Sequence, residues 1–320
     1  ECKTCARPSL DAYNNSSGMD GFMSQHLDAY PELERDLNFY PLGVKNPTVL
    51  SPVQIDRYND HGYLFPIQVF DDREIIEIRE YFDALLPRAL AAGWGSYEMI
   101  NWHKTCRGVY DVVTNSRILD VMQDLLGDTV ILRHSHFFVK LPGDGKRVSW
   151  HQDSSYWPLS RSKVVSAWLA IDDSTIGNGA MQVIPGSHKA AQIAFHDSEP
   201  EENNVLSQTV RDADRYGDAP VSLVLKAGEM SLHSDWTLHG SDVNQSEQRR
   251  CGLAMRFLSS DVQAYNGWNA HSVICRGQDP TGHWADHARP TGEQVPVKDN
   301  PESSMNDLVD STGVGVDSTD

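Results

Sequence analysis

The chain has 320 residues, with 45 Asp and Glu against 27 Lys and Arg, a formal net charge of −18, and 39% hydrophobic residues. A chain of this length buries enough surface to fold without disulfides or a structural metal, and its excess of acid disfavours nucleic acid and anionic membrane surfaces as partners. Its longest apolar run, residues 164–171 interrupted by Ser166, falls well short of the roughly 20 residues a membrane helix needs, so no membrane association is expected.

The first residues, Glu1-Cys2-Lys3-Thr4-Cys5-Ala6, lack the basic start and apolar stretch of a secretory signal, and a reducing, cytoplasmic setting is expected. The five cysteines are an odd number, and Cys106, Cys251 and Cys275 are isolated, which argues against a disulfide framework. Cys2 and Cys5 have the spacing of half a zinc site, but no second pair follows. Residues 1–45 are rich in Asn, Ser, Asp, Tyr and Pro without a sustained period and read as an irregular leader.

Ser51 before Pro52 combines an N-cap residue with a helix-start proline, and the helix they begin is expected to stop near Gly62. Asp71 or Asp72 caps a longer helix whose apolar face is Ile75, Ile76, Ile78, Tyr81, Phe82, Leu85 and Leu86. A third helix fits residues 116–126, and the three together read as a buttress on one face of a sheet. From Thr129 the pattern changes to strand-length runs at 130–141, 164–171, 181–184, 221–225 and 251–258, separated by turn sequences such as Pro142-Gly143-Asp144-Gly145 and Pro185-Gly186-Ser187. The fold class is mainly β with flanking α-helices, an antiparallel barrel or jelly roll. Residues 46–260 form that domain, and 261–320 form an acidic, partly disordered C-terminal extension.

His151 and Asp153 stand two apart, so in an extended segment both reach one side and can share an ion. They supply two corners of a facial triad, and His233 or His239 supplies the third; strand parity does not choose between these two. Arg250 opens an apolar strand on which Arg250, Gly252, Ala254 and Arg256 share one face, with Cys251, Leu253, Met255 and Phe257 on the other. Small Gly252 and Ala254 beside Arg250 leave room for a ligand, and a guanidinium fork suits a carboxylate, whether a ligand's or a neighbouring side chain's. The spacing of His283 and His287 also suits a metal if they lie on a helix, although they stand in a polar stretch.

The run Ser135-His136-Phe137-Phe138-Val139-Lys140-Leu141-Pro142-Gly143, His151-Gln152-Asp153, Ala167-Trp168-Leu169, Asn178-Gly179, Ile184-Pro185-Gly186-Ser187-His188 and His239-Gly240-Ser241 with Asn244, Ser246 and Arg250 resembles the phytanoyl-CoA dioxygenase family over roughly residues 50–258. The resemblance implies a double-stranded β-helix, a cupin-like jelly roll, holding Fe(II), with 2-oxoglutarate and O2 as co-substrates. It makes His151, Asp153 and His239 the iron ligands, because the family's distal histidine directly precedes Gly-Ser. It also makes Arg250 the partner of the distal carboxylate of 2-oxoglutarate, with Ser241 and Trp168 lining the co-substrate pocket. Lys140 stands where the family often has a lysine. Three protein ligands leave three octahedral positions, the number a chelating keto acid and O2 require. Related halogenases replace the carboxylate ligand with a small residue, so Asp153 implies hydroxylation.

The expected reaction is hydroxylation of a small organic metabolite, with conversion of 2-oxoglutarate to succinate and CO2, by a monomer or homodimer. Candidate substrate-pocket residues are His134, His136, Gln152, Tyr156, Trp157 and Arg256, chosen by nearness or strand parity to the iron motif. The acidic chain favours a small polar or zwitterionic substrate over acyl-CoA, although Lys140, Lys146, Arg147, Arg161 and Lys163 flank the motif. Two alternatives are a zinc hydrolase using the same three ligands and a catalytically silent jelly-roll binding module. Arg250 weighs against the hydrolase, and the intact ligand set weighs against the silent module.

Overall fold

A two-residue strand, β1 (Gln25–His26), precedes the first helix in the computed structural model, which describes residues 25–298. The Cys2 and Cys5 pair and residues 299–320 lie outside the described residues. Ser51 starts α1 (Pro52–His61) through a capping box, in which its hydroxyl accepts from the Gln54 backbone and the Gln54 side chain accepts from the Ser51 backbone. Gly62, at φ 82°, ends this helix in the left-handed conformation that glycine adopts without penalty. Asp71 caps α2 (Asp72–Ala91) in the same reciprocal way with Glu74. Two further helices follow, α3 (Arg107–Val113), which has no side-chain cap, and α4 (Ser116–Leu126), which Asn115 caps.

The strands are β2 (Tyr63–Gln68), β3 (Val130–Lys140), β4 (Val148–His151), β5 (Val164–Ala170), β6 (Met181–Val183) and β7 (Phe195–Asp197). They continue as β8 (Gln208–Thr209), β9 (Val221–Ser222), β10 (Glu229–Ser234), β11 (His239–Ser241), β12 (Arg250–Leu258) and β13 (Val273–Arg276). A six-stranded sheet has the order β13-β3-β12-β5-β10-β2, a four-stranded sheet the order β4-β11-β6-β9, and a small third sheet the order β1-β7-β8. Neighbouring strands in the two larger sheets are antiparallel, and the architecture is the expected jelly roll.

The large sheet has two chemically different faces. Cys251, Leu253, Met255 and Phe257 of β12 pack into one core with Phe82 of α2 and with Ile118 and Met122 of α4, so the helices do buttress one face. Each fully buried apolar side chain of this size contributes about 1.5–3 kcal/mol. The carboxylate of Asp124, on α4, accepts the backbone N–H groups of Thr48, Val49 and Leu50, each at 2.7 Å, and so ties the approach to α1 onto the buttress.

Past Leu258 the chain returns to the edge of the large sheet as β13. Val262, Ala264, Trp268 and Trp284 form a second core with Tyr156 and Trp157. Further on, the Glu293 carboxylate accepts from the Tyr81 hydroxyl at 2.5 Å and from Gly108 N–H at 2.9 Å, and Gln294 N–H donates to Thr105 O at 3.1 Å. Residues 292–294 thereby stitch α2 to the start of α3. Among the described residues no helix is long and apolar enough to cross a membrane.

Candidate active site

The small sheet brings two histidines together by register. His239 on β11 lies directly opposite His151 on β4, with ring centroids 4.1 Å apart. Gln152 is extended (φ −110°, ψ 130°), so residues 151 and 153 project to the same side. Asp153 Oδ1 therefore stands 3.8 Å from His151 Nε2 and 3.9 Å from His239 Nε2. The three ligand atoms lie within 4.8 Å of one another, all in buried residues, and form the one such group among the described residues.

Each imidazole is oriented by its own backbone. His151 Nδ1 meets Ser149 O at 2.8 Å and His239 Nδ1 meets Thr237 O at 2.9 Å. A carbonyl only accepts, so each Nδ1 carries a proton, and in the neutral ring the lone pair of each Nε2 is directed at the common point. Burial, with His151 and His233 close by, lowers the His239 pKa well below the usual histidine range and keeps it neutral. Burial alone would raise the Asp153 carboxyl, but the Arg256 guanidinium beside it holds it well below the usual carboxylate range. Two imidazoles whose Nδ1 atoms are held by carbonyls, with Nε2 atoms turned to one point, and an ionised carboxylate fit a divalent iron of the facial-triad type.

Ser166 escaped the sequence reading, yet its hydroxyl donates to Asp153 Oδ2 at 2.8 Å from β5 of the large sheet. Its signal was present, because it is the one hydroxyl in the otherwise apolar stretch 164–171, on a strand buried along its whole length. Both histidines considered for the third ligand reach the site. The His233 ring lies 4.3 Å from that of His239, and its Nε2 stands 3.6 Å from Asp153 Oδ2, so equal parity did mean that both face inward.

Arg250 lines the same cavity with Ser241 and Trp168. Its Nη1 donates to Gly179 O at 2.5 Å, its guanidinium lies 5.2 Å from the Trp168 ring centre, and its Nε is buried without a partner. Burial lowers this guanidinium to about 10, still charged at neutral pH. An unspent buried guanidinium donor fits the carboxylate of a diacid. Gly252 corrects an expectation, for the room it leaves is already taken. A Cβ there would fall 1.8 Å from Trp168 Cζ2, so the glycine seats the indole and not a ligand directly.

Lys140, register partner of Arg250, is fully buried and donates to Lys146 O at 2.9 Å and Asp242 O at 2.7 Å, which makes it a clamp between two loops. Burial, then the nearby Arg250, pushes it down to about 7. Lys163 and Arg161 pair with Asp261 at 2.7 and 3.6 Å and are therefore already engaged.

Among the substrate-pocket candidates, His134, His136, Tyr156, Trp157 and Arg256 do line the cavity. Gln152 does not. Its amide donates to Ala191 O and Trp236 O and accepts from Ile193 N–H, so nearness to the ligands misled, because alternation turns it the other way. Phe138, Val148, Met181 and Leu206 also line the wall without having been singled out. His283 accepts the Ala264 N–H and His287 meets Ala270 O; both serve backbone groups, apart from the metal-type cluster.

A family profile described as phytanoyl-CoA dioxygenase (PhyH) matches residues 58–252. The probable alpha-ketoglutarate-dependent hypophosphite dioxygenase of Stutzerimonas stutzeri is 29% identical over 163 residues, 51% of this chain and 57% of its own. The peroxisomal phytanoyl-CoA dioxygenase of Bos taurus is 26% identical over 237 residues, 67% of this chain and 70% of its own. The solved structure of EctD from S. alaskensis with 2-oxoglutarate and 5-hydroxyectoine superposes with a TM-score of 0.62 at 18% identity, over 85% of this chain and 96% of that one. At that identity the likeness supports the fold.

Proposed function

The chain belongs to the phytanoyl-CoA dioxygenase family, and from that premise we propose that it is an Fe(II)- and 2-oxoglutarate-dependent dioxygenase that hydroxylates a small organic metabolite. The observation that carries this reading is the convergence of His151, Asp153 and His239 in one cavity with the partly unpaired guanidinium of Arg250. His151, Asp153 and His239 would hold the metal. Bound there, Fe(II) supplies the redox chemistry that couples conversion of 2-oxoglutarate and O2 to succinate and CO2 with insertion of one oxygen atom into a substrate C–H bond.

The protein's own residues position and shield. Ser149 O and Thr237 O fix the histidine tautomers, and Ser166 fixes the Asp153 carboxylate. Arg250, flanked by Trp168 and Ser241, orients the diacid co-substrate through its distal carboxylate. Tyr156, Trp157 and Phe138 form the apolar wall that keeps water from the reacting centre. A hydrolase using the same three ligands would have no use for Arg250, and the carboxylate at position 153 favours hydroxyl transfer over halogenation.

The test is an anaerobic titration with Fe(II) and 2-oxoglutarate, followed by admission of O2. A weak visible absorption band, then succinate formation, is the expected result. A protein that binds neither, or that hydrolyses esters with zinc and releases no succinate, would overturn the reading.

A further inference from the structure

Beyond Arg250 the cavity holds a second buried guanidinium, that of Arg256, whose contact with Asp153 engages only one of its nitrogens. Arg256 lies on the same face of β12 as Arg250, and its Nη2 stands 3.6 Å from Asp153 Oδ1. Its Nε and Nη1 are buried and have no hydrogen-bond partner. The guanidinium carbon is 5.8 Å from the ring centres of both Phe138 and Trp157, so aromatic walls frame the charge. Across the strand pair, His134 is the register partner of Arg256, and it too is buried with neither ring nitrogen partnered. Burial first, then Arg133 and Arg256, keeps His134 neutral, and a neutral imidazole offers one N–H donor.

Buried donors left without acceptors cost about 1–3 kcal/mol each, and natural proteins keep few of them unless something arrives to satisfy them. Asp153 does not discharge this need. One of its oxygens takes the Ser166 hydroxyl, and the other faces the two histidines with which it would share the metal. In the proposed reaction Arg250 is matched by the co-substrate's carboxylate and Asp153 by the metal. Arg256 then keeps only the 3.6 Å approach of its Nη2 to a carboxylate shared with the metal, and its Nε and Nη1 remain without acceptors.

We infer that Arg256 and His134 form an oxyanion subsite, and that the substrate is a small molecule carrying one compact anionic group: a carboxylate, phosphonate or sulfonate. The inference rests on the dioxygenase reading and names the substrate class for that site. The anionic group sits against Arg256, and the short carbon skeleton lies along Trp157, Tyr156 and Phe138, with the carbon to be hydroxylated toward the ligand cluster.

The experiment uses the intact protein, anaerobic, with Fe(II) and saturating 2-oxoglutarate so that the Arg250 position is filled. Butyrate, propylphosphonate and propanesulfonate are titrated against the neutral butyramide on the same propyl skeleton, with calorimetry and the visible band as readouts. At least one anion binds about tenfold or more tightly than butyramide, and the tightest of the three names the preferred headgroup. Arg256→Gln removes that preference, Arg256→Lys retains part of it through its charge, and His134→Phe weakens it. Equal binding of butyramide and every anion overturns the subsite, as does an anion preference that survives in Arg256→Gln with its iron content intact. Should Arg256→Gln lose iron, the other two variants decide, and an unchanged preference in both overturns the inference. Failure of the wild-type protein to form the visible band sinks the dioxygenase reading alone, since calorimetry of propylphosphonate against butyramide without metal still tests the subsite.

Discussion

The two larger sheets divide the work of the site. The four-stranded sheet supplies His151, His239 and Ser241 from strands of three or four residues, and Asp153 follows directly on one of them. The six-stranded sheet supplies His134, His136, Trp168, Arg250 and Arg256 from strands of seven to eleven residues whose other faces are packed against helices. The metal side is thus set by a short register match between two strands, and the organic side by long strands with a deep core behind them. Ser166 joins the halves, reaching from the large sheet to the Asp153 carboxylate.

The strongest way to break this division is Asp153→Ala. Iron content and succinate formation should both collapse, by well over the roughly 100-fold typical of residues that only support a metal ligand. Unchanged turnover in the purified variant would refute the ligand assignment. Arg250→Gln should spare iron binding and raise the KM for 2-oxoglutarate about 30-fold or more, as expected for loss of one partner of a buried charge pair. Parallel loss of iron would show that the two sides are not separable.

A third prediction concerns the stability of the helix-backed half. His103 meets Ser135 Oγ of β3 at 2.7 Å and His271 O at 3.0 Å, and burial lowers its pKa from 6.5 to about 4. The unfolded chain therefore binds the proton more readily than the folded one. The associated stability is fully present above about pH 6.5 and is lost as pH falls toward 4, by on the order of 3 kcal/mol from this one group. Urea midpoints measured across that window should fall with acid, and His103→Gln should flatten the slope. The smallest effect expected is that of Ser166→Ala, about tenfold in iron affinity with the fold intact, read by metal competition.

The helices were legible because their signals are local. Ser51 with Pro52, Asp71 with Glu74, and the apolar face of 116–126 each carry their own cap or period. The uncapped α3 gave no such signal. Strand parity correctly put Arg250 and Arg256 inward with His134 and His136, because a core on the opposite face leaves an odd-numbered apolar set on β12. What failed depended on distant partners. Gln152 was chosen by adjacency although its three backbone contacts come from residues 191, 193 and 236. The space beside Gly252 was assigned to a ligand because nothing nearby in the sequence announces that the Trp168 indole fills it. Strands as short as β4 and β11 have too few residues for a period and exist through their pairing.

The return of the chain past Leu258 bears on how the protein is made. A ribosome that has released residue 258 has already synthesised every proposed metal, co-substrate and substrate contact. It has not yet released Trp268 and Trp284, which back Trp157, or Glu293, which fastens Tyr81 to Gly108. The nascent jelly roll thus has its reactive groups before the wall behind them exists. Emergence of Trp284, and not of the last ligand, marks the point at which the aromatic backing of Trp157 can close.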